Sequence, residues 1–180
     1  MTPNASSVLV AYYSATGAVE AMARSIADGA ASVEGTTVVL RSVDAVTRED
    51  LLTADGIVLG TPVYFGNMAA PVKEFIDEWG FHDGTFLEDR AGGAFAVGEV
   101  DNGGREHAVL SLLVAMLSNG MVVVGPTHQI DNVRYGGFGA ATLRRMGIGS
   151  RDGDSKEREL GRRVATLARS LARARQEESA

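Results

Sequence analysis

Short apolar runs alternate along this chain with segments in which apolar residues recur at helical spacing. Ser7 to Tyr13 is a short apolar run, the signature of a parallel strand buried on both faces. After the polar turn Ser14 to Ala18, Val19, Met22, Ala23, Ile26, Ala27 and Ala30 mark an amphipathic helix that Gly35 closes. Thr36 to Arg41 is β-branched and predicts a second strand. Thr47 N-caps a short helix through Leu52, with Asp50 three residues on as a near capping box. Gly56 to Gly60 is a third strand, and Thr61 to Met68 a loop holding Pro62 and Gly66. Pro71 suits the start of a helix that runs to Trp79, whose ring belongs in the core. Ala91 to Val97 predicts a fourth strand, weakened by two glycines. A polar, Gly-rich loop then precedes a helix marked by Val109, Leu112, Leu113, Met116 and Leu117 and stopped by Asn119-Gly120. Met121 to Val124 is the fifth strand. Gly125 to Gly153 has seven glycines and no period, which predicts a mobile surface loop and no core element. A last helix, about Ser155 to Arg175, buries Leu160, Val164, Leu167, Ala168 and Leu171, and Gln176 to Ala180 reads as a frayed tail.

Strands alternating with helices form a βαβ series, so the fold is α/β: a five-stranded parallel sheet with helices on both faces. Right-handed crossovers make a doubly wound sheet the simple solution. No repeat or linker divides residues 1–180, which read as a single domain. Ligands of such sheets bind beyond the C-terminal strand ends. Three loops leave those ends: Ser14 to Ala18, Thr61 to Met68 and Gly98 to Arg105. They are also polar and Gly-bearing.

Composition narrows the chemistry. The 180 residues suit one domain with a full core. The absence of cysteine excludes disulfide scaffolds, zinc–thiolate sites, Fe–S clusters and thiol catalysis. No apolar run is long enough to span a bilayer, and the polar N-terminus lacks a secretory pattern. The expectation is a cytoplasmic protein with no membrane partner. The net charge of −6 argues against nucleic acid. From Arg134 to Arg175, eleven basic residues stand against four acids, which reads first as a solvated helical face. His82, His107 and His128 have no ligand spacing, and Asp152-Gly-Asp154 lacks the rest of a calcium loop, so no metal is expected.

The first loop carries the clearest chemistry. A strand-to-helix turn offers free backbone N–H groups and the positive end of a helix dipole, a ready phosphate cradle. Ser14 and Thr16 add hydroxyls, and Gly17 permits close approach. The loop has neither the Lys of a Walker A motif nor GxGxxG.

Ser14-Ala-Thr-Gly17, within Val8 to Gly29, resembles the flavodoxin phosphate loop. Gly60-Thr-Pro-Val-Tyr-Phe-Gly-Asn-Met-Ala-Ala70 closes on a string, GTPxxFGNM, similar to the second FMN loop of WrbA-type NAD(P)H:quinone oxidoreductases. Gly103-Gly-Arg-Glu106, Gly120 to Val124, Gly136 to Thr142 and Gly149-Ser-Arg151 resemble that family in the same order. The resemblance implies a flavodoxin-like sheet of strand order 2-1-3-4-5 and FMN at the three loops. Ser14, Ala15, Thr16, Gly17, Ala18 and Val19 would hold the phosphate. Thr61, Pro62, Val63, Tyr64, Phe65, Gly66 and Asn67 would line the isoalloxazine. Gly98, Glu99, Val100, Asn102, Gly103 and Gly104 would cover its other edge. The third loop departs from the family in carrying acids, Glu99 and Asp101, where small residues are usual. Asn119 replaces a His, and the insertion that helps build the family's tetramer is missing.

The implied activity is hydride transfer from NAD(P)H through FMN to a quinone or similar flat acceptor, with the flavin carrying the chemistry and no catalytic side chain required. A flavodoxin-type electron carrier for a protein partner, or a degenerate member that has lost FMN, are the alternatives. His107, just past the third loop, is a candidate substrate contact. Tyr135 and Phe138 suit closure over a flat ligand, and Arg144 and Arg145 the pyrophosphate of NAD(P)H. Apolar surface on the helices 71–79 and 109–117, together with the family's habit of self-association, predicts a homodimer or homotetramer.

Overall fold

A computed structural model describes residues 5–79, 87–130, 133–136, 139–143 and 156–178, with the main chain alone at 128–130, 133–136, 140–143 and 178. Strands β1 (Ser6–Tyr12), β2 (Thr36–Ser42), β3 (Gly56–Tyr64), β5 (Ala91–Gly98) and β6 (Val122–Val123) form one parallel sheet in the order β2-β1-β3-β5-β6. In the numbering of the five expected strands this is 2-1-3-4-5. The two-residue β4 (Asn67–Met68) turns back antiparallel on β3.

Successive residues of a strand face opposite sides, and β1 shows it. Val8 and Val10 pack with Val58, Phe95, Ile26 of α1 (Ala18–Ala31) and Leu160 and Val164 of α5 (Lys156–Glu178). Leu9 and Ala11 pack with Leu59, Phe75 of α3 (Ala70–Asp77) and Leu112 and Met116 of α4 (Arg105–Ser118). Trp79 is fully buried in this second layer, its ring edge-on to Phe75 at 5.2 Å. The short α2 (Arg48–Thr53) starts on the expected cap: Thr47 Oγ1 accepts from Asp50 N at 3.1 Å, while Asp50 Oδ2 accepts from Thr47 N at 2.8 Å.

The segment after β6 overturns one expectation. Pro126 has no N–H to donate to a ladder, and the fifth strand ends after pairing with Ala91 and Gly92 alone. The chain then makes an antiparallel hairpin, β7 (Thr127–Ile130) and β8 (Val133–Gly136). It returns as β9 (Ala140–Leu143), parallel to Phe95–Gly98 of β5. Two short pieces therefore share the fifth position, and part of the expected loop is sheet. Four residues, two of them Ala, show no period of their own; the unpaired half of β5 supplies the reason for a strand.

The C-terminal helix also exceeds its expected end and continues through Glu178. Arg175 anchors it, with Nη2 2.5 Å from Asp55 Oδ1, and Arg173 pairs with Glu177 one turn on. Arg158 reaches Asp28, Arg162 reaches Glu159, and Arg169 donates to the Glu34 carbonyl. The arginines described in this basic quarter thus bond within the protein.

Candidate functional site

The first loop forms as its sequence suggests. Ser14 Oγ accepts from Gly17 N at 3.1 Å and Glu20 N at 3.3 Å. Its own proton is then free to point outward. Gly17 caps α1 at φ +84° with no side-chain cap, so the amides of Ala18 and Val19, in the first turn, have no partner inside the helix. Two N–H groups, a hydroxyl and the positive helix end meet there. Burial pushes the Tyr12 phenol up, and the Glu20 carboxylate beside it adds to the effect. Tyr12 therefore brings no negative charge to this end.

The second loop is tighter than expected. β3 continues to Tyr64, and a two-residue turn of Phe65 (φ +50°) and Gly66 (φ +82°) sends the chain back along β4. Positive φ at both central residues matches the twist of a hairpin. Thr61 is fully buried; its Oγ1 accepts from Ala69 N at 2.9 Å and donates to the Pro62 carbonyl at 2.9 Å. Thr61 fastens the hairpin base. Phe65 is fully exposed at the tip and Tyr64 is 44 % exposed.

The third loop runs from Gly98 to Gly104, with Asn102 at φ +58° and Gly104 at φ +92°. It closes against the second. A Cβ on Gly104 would stand 2.6 Å from Gly66 Cα and 2.7 Å from its carbonyl oxygen. His107, one turn into α4, places Nδ1 2.9 Å from that same oxygen. His107 thus ties the turn of the second loop to α4.

Between the three loops lies a cavity of about 510 Å³. Thirteen of the nineteen residues that the resemblance assigned to FMN line it. Ser14, Gly17, Thr61, Asn67, Asn102 and Gly104 do not, and act instead as caps, fasteners and turn residues. Val97 joins the lining; as the last residue of an apolar strand run it reads as core in the sequence. Asn67 and His107 border a neighbouring groove on α4. The side chain of Tyr135, and Phe138, Arg144 and Arg145 entirely, lie outside the described residues, as does His82. Among the described residues no group of His, Asp and Glu could hold a metal ion, and no helix is long and apolar enough to cross a membrane.

The cavity suits FMN on its own geometry. The uncapped helix start offers donors to a phosphate. Pro62, Tyr64, Phe65, Val97 and Val100 offer an apolar wall to a flat ring, and the volume is that of a small-ligand site.

A sheet of this strand order, with a cleft between the same three C-terminal loops, defines a flavodoxin-like α/β protein. Solved structures agree on the fold. One described as the flavodoxin, WrbA-like protein from Agrobacterium tumefaciens superposes with a TM-score of 0.68 at 24% identity, covering 92% of this chain and 99% of that one. A flavodoxin from the domain Archaea gives 0.66 at 22% identity, with 92% and 99% covered. The family model for NADPH-dependent FMN reductase matches residues 43–133. A relative named NAD(P)H dehydrogenase (quinone) from Solidesulfovibrio magneticus is 33% identical over 91% of this chain and 98% of its own. Another of that name from Bradyrhizobium diazoefficiens is 34% identical over 91% and 98%. A relative named flavodoxin from Aquifex aeolicus is 36% identical over 88% and 84%. The chain belongs to the NADPH-dependent FMN reductase family.

Proposed function

We propose that the protein is an FMN-dependent oxidoreductase that passes a hydride from NAD(P)H to a quinone or similar flat acceptor. The cleft carries this reading: a donor-rich helix start at one end and an apolar, open-mouthed wall at the other, joined in one cavity. Bound FMN supplies the hydride chemistry. Thr16 and the first-turn amides of α1 hold its phosphate, on a loop that Ser14 braces. Pro62, Tyr64 and Phe65 wall one side of the ring, and Gly98 to Gly104 cover an edge. Gly66, clamped by His107 and Gly104, keeps two of the loops in register. The open mouth admits NAD(P)H and the acceptor in turn to the same face, so no side chain has to act as acid or base.

The site residues, a single domain over 1–180 and a cytoplasmic location are part of this proposal. So is self-association. Leu110, Val114 and Leu117 are exposed on one side of α4, beside an apolar groove of about 610 Å³ next to the cleft; a homodimer or homotetramer would cover them. Flavin absorbance in the purified protein, with NADPH oxidation that depends on added benzoquinone, tests the activity. A yellow protein that does not turn over these substrates points to an electron carrier instead. A colourless protein that takes up no FMN rejects the reading.

A further inference from the structure

Arg105 is the first residue of α4, where a cation meets the positive end of the helix dipole. Its side chain is 15 % exposed. Nε is fully buried without a hydrogen-bond partner among the described residues. Its ionic partner is Asp101, with Nη2 3.6 Å from Oδ1 and the carboxylate 67 % exposed. That is too long for a hydrogen bond, and a pair so open to water contributes little. A buried donor without an acceptor and a cation at the wrong end of a helix both cost stability. Among the described residues only the exposed Asp101 carboxylate offsets these costs, the pattern expected where function sets the residue.

The position of the side chain supplies the reason. A Cβ on Gly98 would fall 2.8 Å from Arg105 Cγ and 3.1 Å from Cδ, and Gly98 lines the cleft. The stem of Arg105 therefore packs against the cleft wall at a residue with no side chain to hold it off. A charge in that position is poorly screened by solvent. The same loop carries Glu99, which lines the cleft, and Asp101.

We propose that Arg105 is a positioning residue of the flavin site, whose buried charge outweighs its exposed partner Asp101 and favours the electron-rich, reduced form of the bound ring. This rests on the flavin reading above. It requires that reduced FMN bind more tightly, relative to oxidised FMN, than it would without Arg105.

Arg105→Met removes the charge and keeps most of the stem. Oxidised FMN affinity is measured by fluorescence quenching, and the midpoint potential by reduction against a reference dye. The expected result is an affinity ratio, reduced over oxidised, about tenfold less favourable; for a two-electron couple that is a midpoint about 30 mV lower. Arg105→Lys should recover most of the shift. The apo variant should melt no lower than wild type, since a buried cation whose ionic partner is exposed has been removed; a purely structural Arg105 predicts a lower Tm and an unchanged midpoint. Asp101→Asn, on an exposed side chain, should move the midpoint upward at low ionic strength. An unchanged midpoint in Arg105→Met overturns the proposal; should that variant not fold, an unchanged or lowered midpoint in Asp101→Asn does so. Failure of the wild-type protein to bind FMN overturns the flavin reading itself and appears before any variant is made.

Discussion

Gly104→Ala tests how the cleft is held together. Two costs are expected. The first is backbone strain: φ is +92°, and an L side chain in the left-handed region costs about 1–2 kcal/mol. The second is contact. The new methyl would stand 2.6 Å from Gly66 Cα, where ordinary packing begins at 3.4 Å. The two backbones must part by about 0.8 Å, an overpacking cost of roughly 1–3 kcal/mol. That movement also stretches the bond from His107 to the Gly66 carbonyl, 2.9 Å long and worth about 1 kcal/mol. The sum is roughly 3–6 kcal/mol. Gly66→Ala is the control from the other side of the same contact. It has φ +82° but nothing within 4 Å of its Cβ, so strain alone remains. Gly17→Ala, at φ +84° and equally open, is a second control.

The comparison is made on apo protein, because Gly66 lines the cleft and Gly17 begins the helix assigned to the phosphate. At about 2–4 °C per kcal/mol for a chain of this size, each control should lower Tm by roughly 2–8 °C. Gly104→Ala should lower it by roughly 6–24 °C and weaken FMN binding as well. If the three variants melt together, contact between the second and third loops contributes nothing. If Gly104→Ala binds FMN like wild type, the junction does not shape the cleft.

Ser14→Ala removes the acceptor for Gly17 N and Glu20 N that shapes the phosphate loop; a loss of about 1–3 kcal/mol in FMN affinity is expected, read by dialysis and fluorescence, and full retention would refute the cradle. Phe65→Asn replaces an exposed aromatic at φ +50° by a residue that tolerates the left-handed region; thermal stability should hold or rise while the KM for benzoquinone increases, and an unchanged KM would remove Phe65 from the wall. For Asp50, burial raises the carboxyl, but hydrogen bonds from Thr47 and the Arg41 guanidinium outweigh it and hold the pKa below its ordinary value of 3.8. A lowered folded pKa contributes stability that is present above the unfolded value and lost as pH falls through the folded one. The stability gap between wild type and Asp50→Asn should therefore be flat from pH 7 to about 5 and close below about 4; the same gap at pH 3 as at pH 7 would contradict it.

The sheet was legible because its strands announce themselves. Val8 to Val10 and Ile57 to Leu59 are buried on both faces, so a plain apolar run sufficed. The helix starts were legible where chemistry marks them, at Thr47, at Pro71 and at the Gly17 turn. β9 was not. Its residues have weak strand preference, and only the free half of β5, far away in sequence, gives them partners. Thr61 and Asn67 show the matching limit at the site. A residue inside a binding motif can serve the motif's backbone and never face the cavity, and composition does not separate the two roles. Nor could sequence place Arg105, which reads as an ordinary first-turn residue until its burial is seen.

The two ends of the sheet divide the work. At the N-terminal end Asp55 accepts from Ser7 N and from Arg175, and Arg90 donates to the carbonyls of Leu51 and Ala54. Charges there are paired, and the contacts tie β1, β3, β5 and α5 together. At the C-terminal end the balance is reversed. Phe65 lies in a strained, exposed turn, two first-turn amides of α1 have no helical partner, and the Arg105 Nε has no acceptor among the described residues. Each feature costs free energy by itself, and each faces or backs the same cavity. Hydrophobic burial on both faces of the sheet, with the paired base below, tolerates those costs. A phosphate-bearing flat ligand would recover them, because it supplies what each lacks: an acceptor for the amides, a surface for the aromatic and negative charge for the guanidinium. A protein so arranged should gain more thermal stability from its cofactor than buried area alone would give, since binding satisfies groups that the apo protein leaves unmet.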